Sequence, residues 1–159
     1  MAFDTSKLTS EMIEQAAKGL ADMSTIRELK GITDEEMEAM YSLGYSFYTT
    51  GRYDDAEKVF RFLVLFDHLS AKYWTALGAV QQVKKLYVDA VASYGYASFL
   101  DLENPKPQYF AAECFMALGD KENASSALAA LDEFCPKNTE LGREYRAKAA
   151  ELKALIEKQ

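Results

Sequence analysis

The chain is poor in the residues from which most catalytic and metal centres are built. It has one histidine, His68, and two cysteines, Cys114 and Cys135. One imidazole and two distant thiols offer no zinc-ligand spacing. Two cysteines make no disulfide framework either, so free thiols in a reducing compartment are expected. A Cys–His nucleophilic pair would have to be assembled from different segments of the chain, and no glycine-rich phosphate loop is present. Acidic runs occur at Asp34–Glu35–Glu36 and Asp54–Asp55, but both open predicted helices, where carboxylates complement the positive end of the helix dipole. Neither a catalytic residue, nor a cofactor, nor a metal site is expected.

Positive charge is also scarce. Eighteen Lys and Arg stand against 25 Asp and Glu, a net charge of −7. Without a basic stripe there is nothing to neutralise phosphates, which disfavours nucleic acid as a partner, and an anionic membrane surface is disfavoured for the same reason. The opening MAFDTSKLTSEM has no positively charged region followed by an apolar run, so no secretory signal is expected. The longest apolar cluster, Phe62 to Phe66, falls far short of the roughly 20 residues a membrane span requires. Only three prolines and eight glycines punctuate the chain, a composition that suits helices with breaks at turns.

What the chain does have is a repeat. Gly44, Gly78 and Ala112 follow one another at a constant offset of 34, as do Ala56, Ala90 and Ala124, then Phe60, Tyr94 and Leu128, and Leu43, Leu77 and Ala111. Small residues at the first two sites let two helices approach closely, and a bulky one at the third fills the space beside them. That period with small–small–bulky spacing marks the tetratricopeptide helix–turn–helix. Trp74, Leu77 and Gly78 match the opening of its consensus and Pro136 its closing proline, whereas units one and two carry His68 and Leu102 there.

The expected fold is therefore all-α: three tetratricopeptide repeats in a right-handed superhelix, with an N-terminal helical extension and a C-terminal capping helix. The extension covers residues 1–33. The repeats occupy 34–137, at about 37–70, 71–104 and 105–138, and the cap takes 138–159. Helices are predicted near 34–49, 54–67, 71–84, 88–100, 106–118 and 121–134. Thr33 with Glu36 forms a capping box ahead of the first of them. Asp101 to Pro107 breaks the chain before unit three. In the extension an apolar helical pattern runs through Met12, Ile13, Ala16, Leu20, Met23, Ile26 and Leu29. It reads either as a cap on unit one or as a self-association surface in which Leu20, Met23, Ile26 and Leu29 take part. The last helix carries a stripe of Leu141, Tyr145, Ala149, Leu152 and Ile156.

The first repeat helix has more aromatic surface than a hairpin needs. Met40, Leu43, Gly44 and Phe47 read as its buried stripe, while Tyr41, Tyr45 and Tyr48 form a second one at the same spacing. First helices line the concave face of such arrays. These tyrosines are therefore expected in a groove, continued at the equivalent sites of the later units by Thr75, Ala79 and Gln82, then Tyr109, Glu113 and Met116. A tyrosine ring with a polar tip suits a surface that stays soluble when empty and binds apolar peptide when filled. Packing of Tyr41 against the N-terminal helix is the structural alternative.

YSLGYSFYTTGRYDDAEKVFRFLVLFDH, LGAVQQ, ASYGYASFLD and FAAECFMALGD together resemble the class II chaperones of bacterial type III secretion, the translocator chaperones of the low-calcium-response protein H type. The resemblance runs from about Leu8 to the C-terminal helix. It implies a cytoplasmic, non-catalytic chaperone that keeps hydrophobic pore-forming translocators soluble and fit for secretion. It further implies a groove for an extended client segment, lined here by Tyr41, Tyr45 and Tyr48, and a homodimer in which the N-terminal helix takes part. The reading from another class is a generic tetratricopeptide scaffold or co-chaperone that clamps a charged C-terminus. A carboxylate clamp needs several basic side chains, and only Lys72 and Lys106 are basic at inner-face sites.

Overall fold

The computed structural model describes residues 24–158. Among them eight helices follow one another with no strand: α1 (Ile26–Lys30), α2 (Asp34–Thr49), α3 (Tyr53–Phe66), α4 (Ala71–Val83), α5 (Tyr87–Leu100), α6 (Pro105–Ala117), α7 (Lys121–Phe134) and α8 (Glu140–Lys158). Consecutive helices α2 to α7 pair as three hairpins, and α8 packs on α6 and α7. None is long and apolar enough to cross a membrane.

Within the apolar pattern of the N-terminal extension, a helix starts just before Ile26. Thr25 is extended, and its hydroxyl accepts from the Glu28 amide while the Glu28 carboxylate accepts from the Thr25 amide. This capping box starts the helix at Ile26, and Gly31 ends it in the left-handed conformation at φ 66°. Leu20 and Met23 lie outside the described residues. Ile26 and Leu29 are exposed, Leu29 by 75%. The second capping box, Thr33 with Glu36, forms as expected.

The 34-residue period extends to the backbone turns. Arg52, Leu86 and Asp120 donate their amides to Phe47, Gln81 and Phe115 at 2.8, 2.8 and 2.9 Å. Just before them Gly51, Lys85 and Gly119 take positive φ, at 77°, 62° and 77°. Each first helix thus closes with the same left-handed turn, which satisfies carbonyls the helix end would otherwise orphan. Unit two makes it without glycine, at a steric cost for Lys85 of about 1–2 kcal/mol.

Inside each hairpin the period sets how closely the helices approach. A Cβ on Gly44 would lie 2.9 Å from the Phe60 ring, and one on Gly78 only 2.7 Å from the Tyr94 ring. In unit three Ala112 faces the smaller Leu128, and both are fully buried. One core cluster joins Met37, Phe60, Leu63, Tyr73, Leu77 and Val80 across units one and two. A second joins Ala112, Leu128, Leu131, Tyr145 and Ala149 beneath α8. In α8 the stripe holds at Tyr145 and Ala149, but Leu141 is exposed and Gly142 buried in its place. Thr139 caps that helix by accepting from the Gly142 amide at 3.0 Å, and a side chain on Gly142 would run into the Pro136 carbonyl.

The buried stripe of α2 differs from expectation. Leu43 is 43% exposed, whereas Met37, one turn before the expected start, is 1% exposed. Met37, Tyr41 and Gly44 face the core at the i, i+4, i+7 spacing, because Phe60 and Tyr73 stand on that side. Met40 and Phe47 are only half-buried.

Polar groups tie units one and two together. Glu57 is 8% exposed and accepts from Lys84 Nζ and Arg61 Nη2, each at 2.6 Å, while Lys84 also meets Asp54 at 2.6 Å. Burial works against ionisation of Glu57, but the bonds from Lys84 and Arg61 prevail and hold its carboxyl below the ordinary value. A depressed folded pKa contributes stability that is complete above the unfolded value, about 4.3, and is lost as pH falls through the folded one. Glu57→Gln is therefore expected to cost about 1–2 kcal/mol at neutral pH, a deficit that shrinks as pH falls from about 5 to 3 in urea titrations.

Gly78→Ala tests the close approach. The Tyr94 ring is buried and its hydroxyl donates to Gln82 at 2.8 Å, so it has no room to retreat. Overpacking of this kind costs about 1–3 kcal/mol, to be read as a lowered urea midpoint with unchanged slope.

Candidate functional site

The inner faces of α2 and α4 meet the α5–α6 loop around one concave pocket of about 360 Å³. Five of the residues expected in a groove line it: Tyr41, Tyr45 and Tyr48 from α2, and Thr75 and Ala79 from α4. They share this wall because Tyr41 and Thr75, like Tyr45 and Ala79, are equivalent positions of successive repeats. Lys72 and Lys106 border the same space, as do Asp101 and Asn104.

The three tyrosines are not equivalent. The Tyr41 ring packs against Phe60 at 5.7 Å and Tyr73 at 6.0 Å, so it is part of the core as well as the pocket wall. Residues 1–23 of the N-terminal extension, the alternative cover for this ring, lie outside the described residues. Tyr48 leans edge-on against Tyr53 at 5.8 Å. Tyr45 is 56% exposed and forms the free rim. Burial pushes the phenols of Tyr41 and Tyr48 up, with Lys72 opposing at Tyr41, so both stay neutral hydrogen-bonding tips. Lys72 lies 3.9 Å over the Tyr41 ring centre while its ammonium meets Glu38 at 2.6 Å.

The remaining four residues lie elsewhere. Gln82 accepts from the Tyr94 hydroxyl at 2.8 Å and donates to Glu113 at 3.0 Å, bridging units two and three. Tyr109 packs edge-on against Tyr145 of α8 at 5.4 Å, and burial pushes its phenol up to about 12. Met116 packs on the α8-side cluster. None of these lines the pocket.

Sequence periodicity did not point to Phe60, Asp101 or Asn104. Phe60 reaches the pocket floor from the second helix of its hairpin. Asp101 and Asn104 stand in a loop, where helical spacing carries no information. The turn residue Asn104, which caps α6 through the Lys106 amide at 3.2 Å, was the available signal.

Neither cysteine is activated. Cys114 is buried beside Glu113, and burial pushes its thiol up to about 12; Cys135 is raised likewise. Among the described residues no three His, Cys, Asp or Glu converge on a metal position. What the site offers is apolar rings, small side chains and hydroxyl tips around a concavity, the makings of a peptide groove.

If the tyrosines divide as described, truncation separates them. Tyr45→Ala is expected to leave the melting temperature near wild type, and Tyr41→Ala to cost about 2–3 kcal/mol through the gap left beside Phe60 and Tyr73. Thermal and urea denaturation of the two single variants reads the difference.

Three comparisons bear on these observations. A tetratricopeptide repeat family model matches residues 37–68 and 71–104. The low calcium response locus protein H of Yersinia pestis is 35% identical over 116 residues, which cover 73% of this chain and 69% of that protein. A T3SS complex from Aeromonas hydrophila contains a chain of similar structure, with TM-score 0.82 and 30% identity over 91% of this chain and 96% of that one. The Yersinia enterocolitica type III secretion chaperone SycD, solved with a peptide of the translocator YopD, superposes with TM-score 0.73 and 31% identity, over 79% of this chain and 95% of SycD.

Proposed function

This chain belongs to the family of the low calcium response locus protein H and SycD, the translocator chaperones of type III secretion, and from that premise we propose that its groove holds an extended apolar segment of a translocator before export. The observation that carries this reading is the tyrosine pocket. Three rings from one helix and small residues from the next surround a concavity that no part of the described chain fills. SycD was solved with a peptide of its translocator. Occupation covers aromatic surface that the empty protein leaves to water, and covering the client's apolar segment in turn keeps that segment from aggregating.

The chaperone performs no catalysis, since binding alone accomplishes the task. It works in the bacterial cytoplasm, ahead of the secretion machinery. Client-free, it pairs with a second copy through the N-terminal region, to which the exposed Ile26 and Leu29 belong together with Leu20 and Met23. An exposed leucine on a five-residue helix has little of its own fold to cover it.

The groove is tested with a labelled YopD peptide in fluorescence anisotropy. Tyr45→Ala, which spares the core, is expected to weaken binding about 30-fold, the effect of losing an aromatic anchor worth about 2 kcal/mol. Undiminished affinity in the folded variant would move the client elsewhere.

A further inference from the structure

Glu38, Lys72 and Lys106 stand 34 residues apart, at one position of three successive repeats. They therefore form a row along one edge of the groove. Lys72 is held from one side only, by Glu38 at 2.6 Å and by the face of Tyr41. Next in the row, Lys106 is exposed and makes no ion pair among the described residues. Both lysines sit in the first turn of their helices, α4 and α6, where the dipole disfavours a cation. Lys72 is offset by Glu38 and the Tyr41 ring, whereas no ion pair among the described residues offsets Lys106. Of the charged residues bordering the pocket, Lys72 and Lys106 are positive and Asp101 negative. With Glu38 held by Lys72, Lys106 is the pocket-lining cation that no ion pair among the described residues neutralises.

We propose that Lys72 and Lys106 form a carboxylate site, which takes an acidic side chain of the client segment beside the apolar residue seated among the tyrosines. This rests on the groove reading above and adds to it a chemical class of client: an apolar segment carrying an internal Asp or Glu. The tyrosine pocket supplies most of the affinity. The row of charges fixes the register and direction of the segment, as rim charges do at other interfaces. Glu38 is the resident competitor, since it occupies Lys72 when the groove is empty.

The test uses the full chain and a YopD peptide with an amidated C-terminus, which removes the terminal carboxylate as a source. A second peptide has every Asp and Glu replaced by Asn and Gln. Lys106→Ala is expected to weaken the parent peptide three- to tenfold and leave the amide peptide unchanged, with a melting temperature near wild type. Glu38→Gln is expected to tighten the parent peptide two- to threefold, a gain that a purely structural role for Glu38 would not produce. Equal losses for both peptides in Lys106→Ala, or parent affinity unaffected by it, overturn the carboxylate site, while the groove stands if Tyr45→Ala still weakens binding. If only a peptide with a free C-terminus responds to Lys106, the site clamps chain ends and the internal-acid reading is wrong. A parent peptide that fails to bind the wild-type chain overturns the groove and this site together.

Discussion

The close approach of helix backbones at Gly44 and Gly78 is the constraint on which the rest depends. With no Cβ between them, α2 closes onto the Phe60 ring and α4 onto the Tyr94 ring. That contact fixes the rotation of each first helix about its axis, and so decides which residues face the neighbouring hairpin and which face the groove. The third unit reaches a comparable fit by a different route, with Ala112 against the smaller Leu128. Volume is conserved across the pair although neither residue is, which is the usual solution in a close-packed interior. Because the rotation is repeated, Tyr41 and Thr75, or Tyr45 and Ala79, come to share one wall.

Much of this was legible in the sequence for a specific reason. A repeat states the same geometric requirement several times, so agreement at one offset outweighs the ambiguity of any single position. The helices, the two turn glycines and the grouping of Tyr41, Tyr45 and Tyr48 with Thr75 and Ala79 all follow from that. What escaped were features that do not repeat. Leu43 looked buried from its spacing with Met40, Gly44 and Phe47, yet it is 43% exposed. Met37 took its place by packing toward Phe60 and Tyr73. The helix start at Thr25 was written as Thr-x-x-Glu, but the apolar period of the neighbouring residues hid it.

Unit three shows a second limit of periodic reasoning. Tyr109 and Met116 occupy the same repeat positions as Tyr41 and Tyr48, but α8 packs against that end and engages them. A capping helix has to bury its apolar stripe on something, and here the something includes residues that the period assigns to the inner face. Gln82 and Glu113 are similarly engaged with each other and with the buried Tyr94 hydroxyl. The pocket is therefore confined to units one and two and the start of three.

Under the proposed function, Tyr41 connects binding to folding. One side of its ring meets Phe60 and Tyr73 and the other borders the groove under the Lys72 ammonium. A residue that serves both surfaces cannot be optimised for either alone. A larger apolar ring at the rim would bind more tightly but would expose a patch that invites association of the empty protein. Tyrosine resolves the conflict by pairing an apolar face with a hydroxyl that water satisfies when no client is present. Since a ligand that binds only the folded chain stabilises it by mass action, filling the groove also strengthens the packing of α2 on α3 and α4. On the proposed reading the empty chaperone is thus the less stable form, and the surface that makes it so is the surface that would recognise the client.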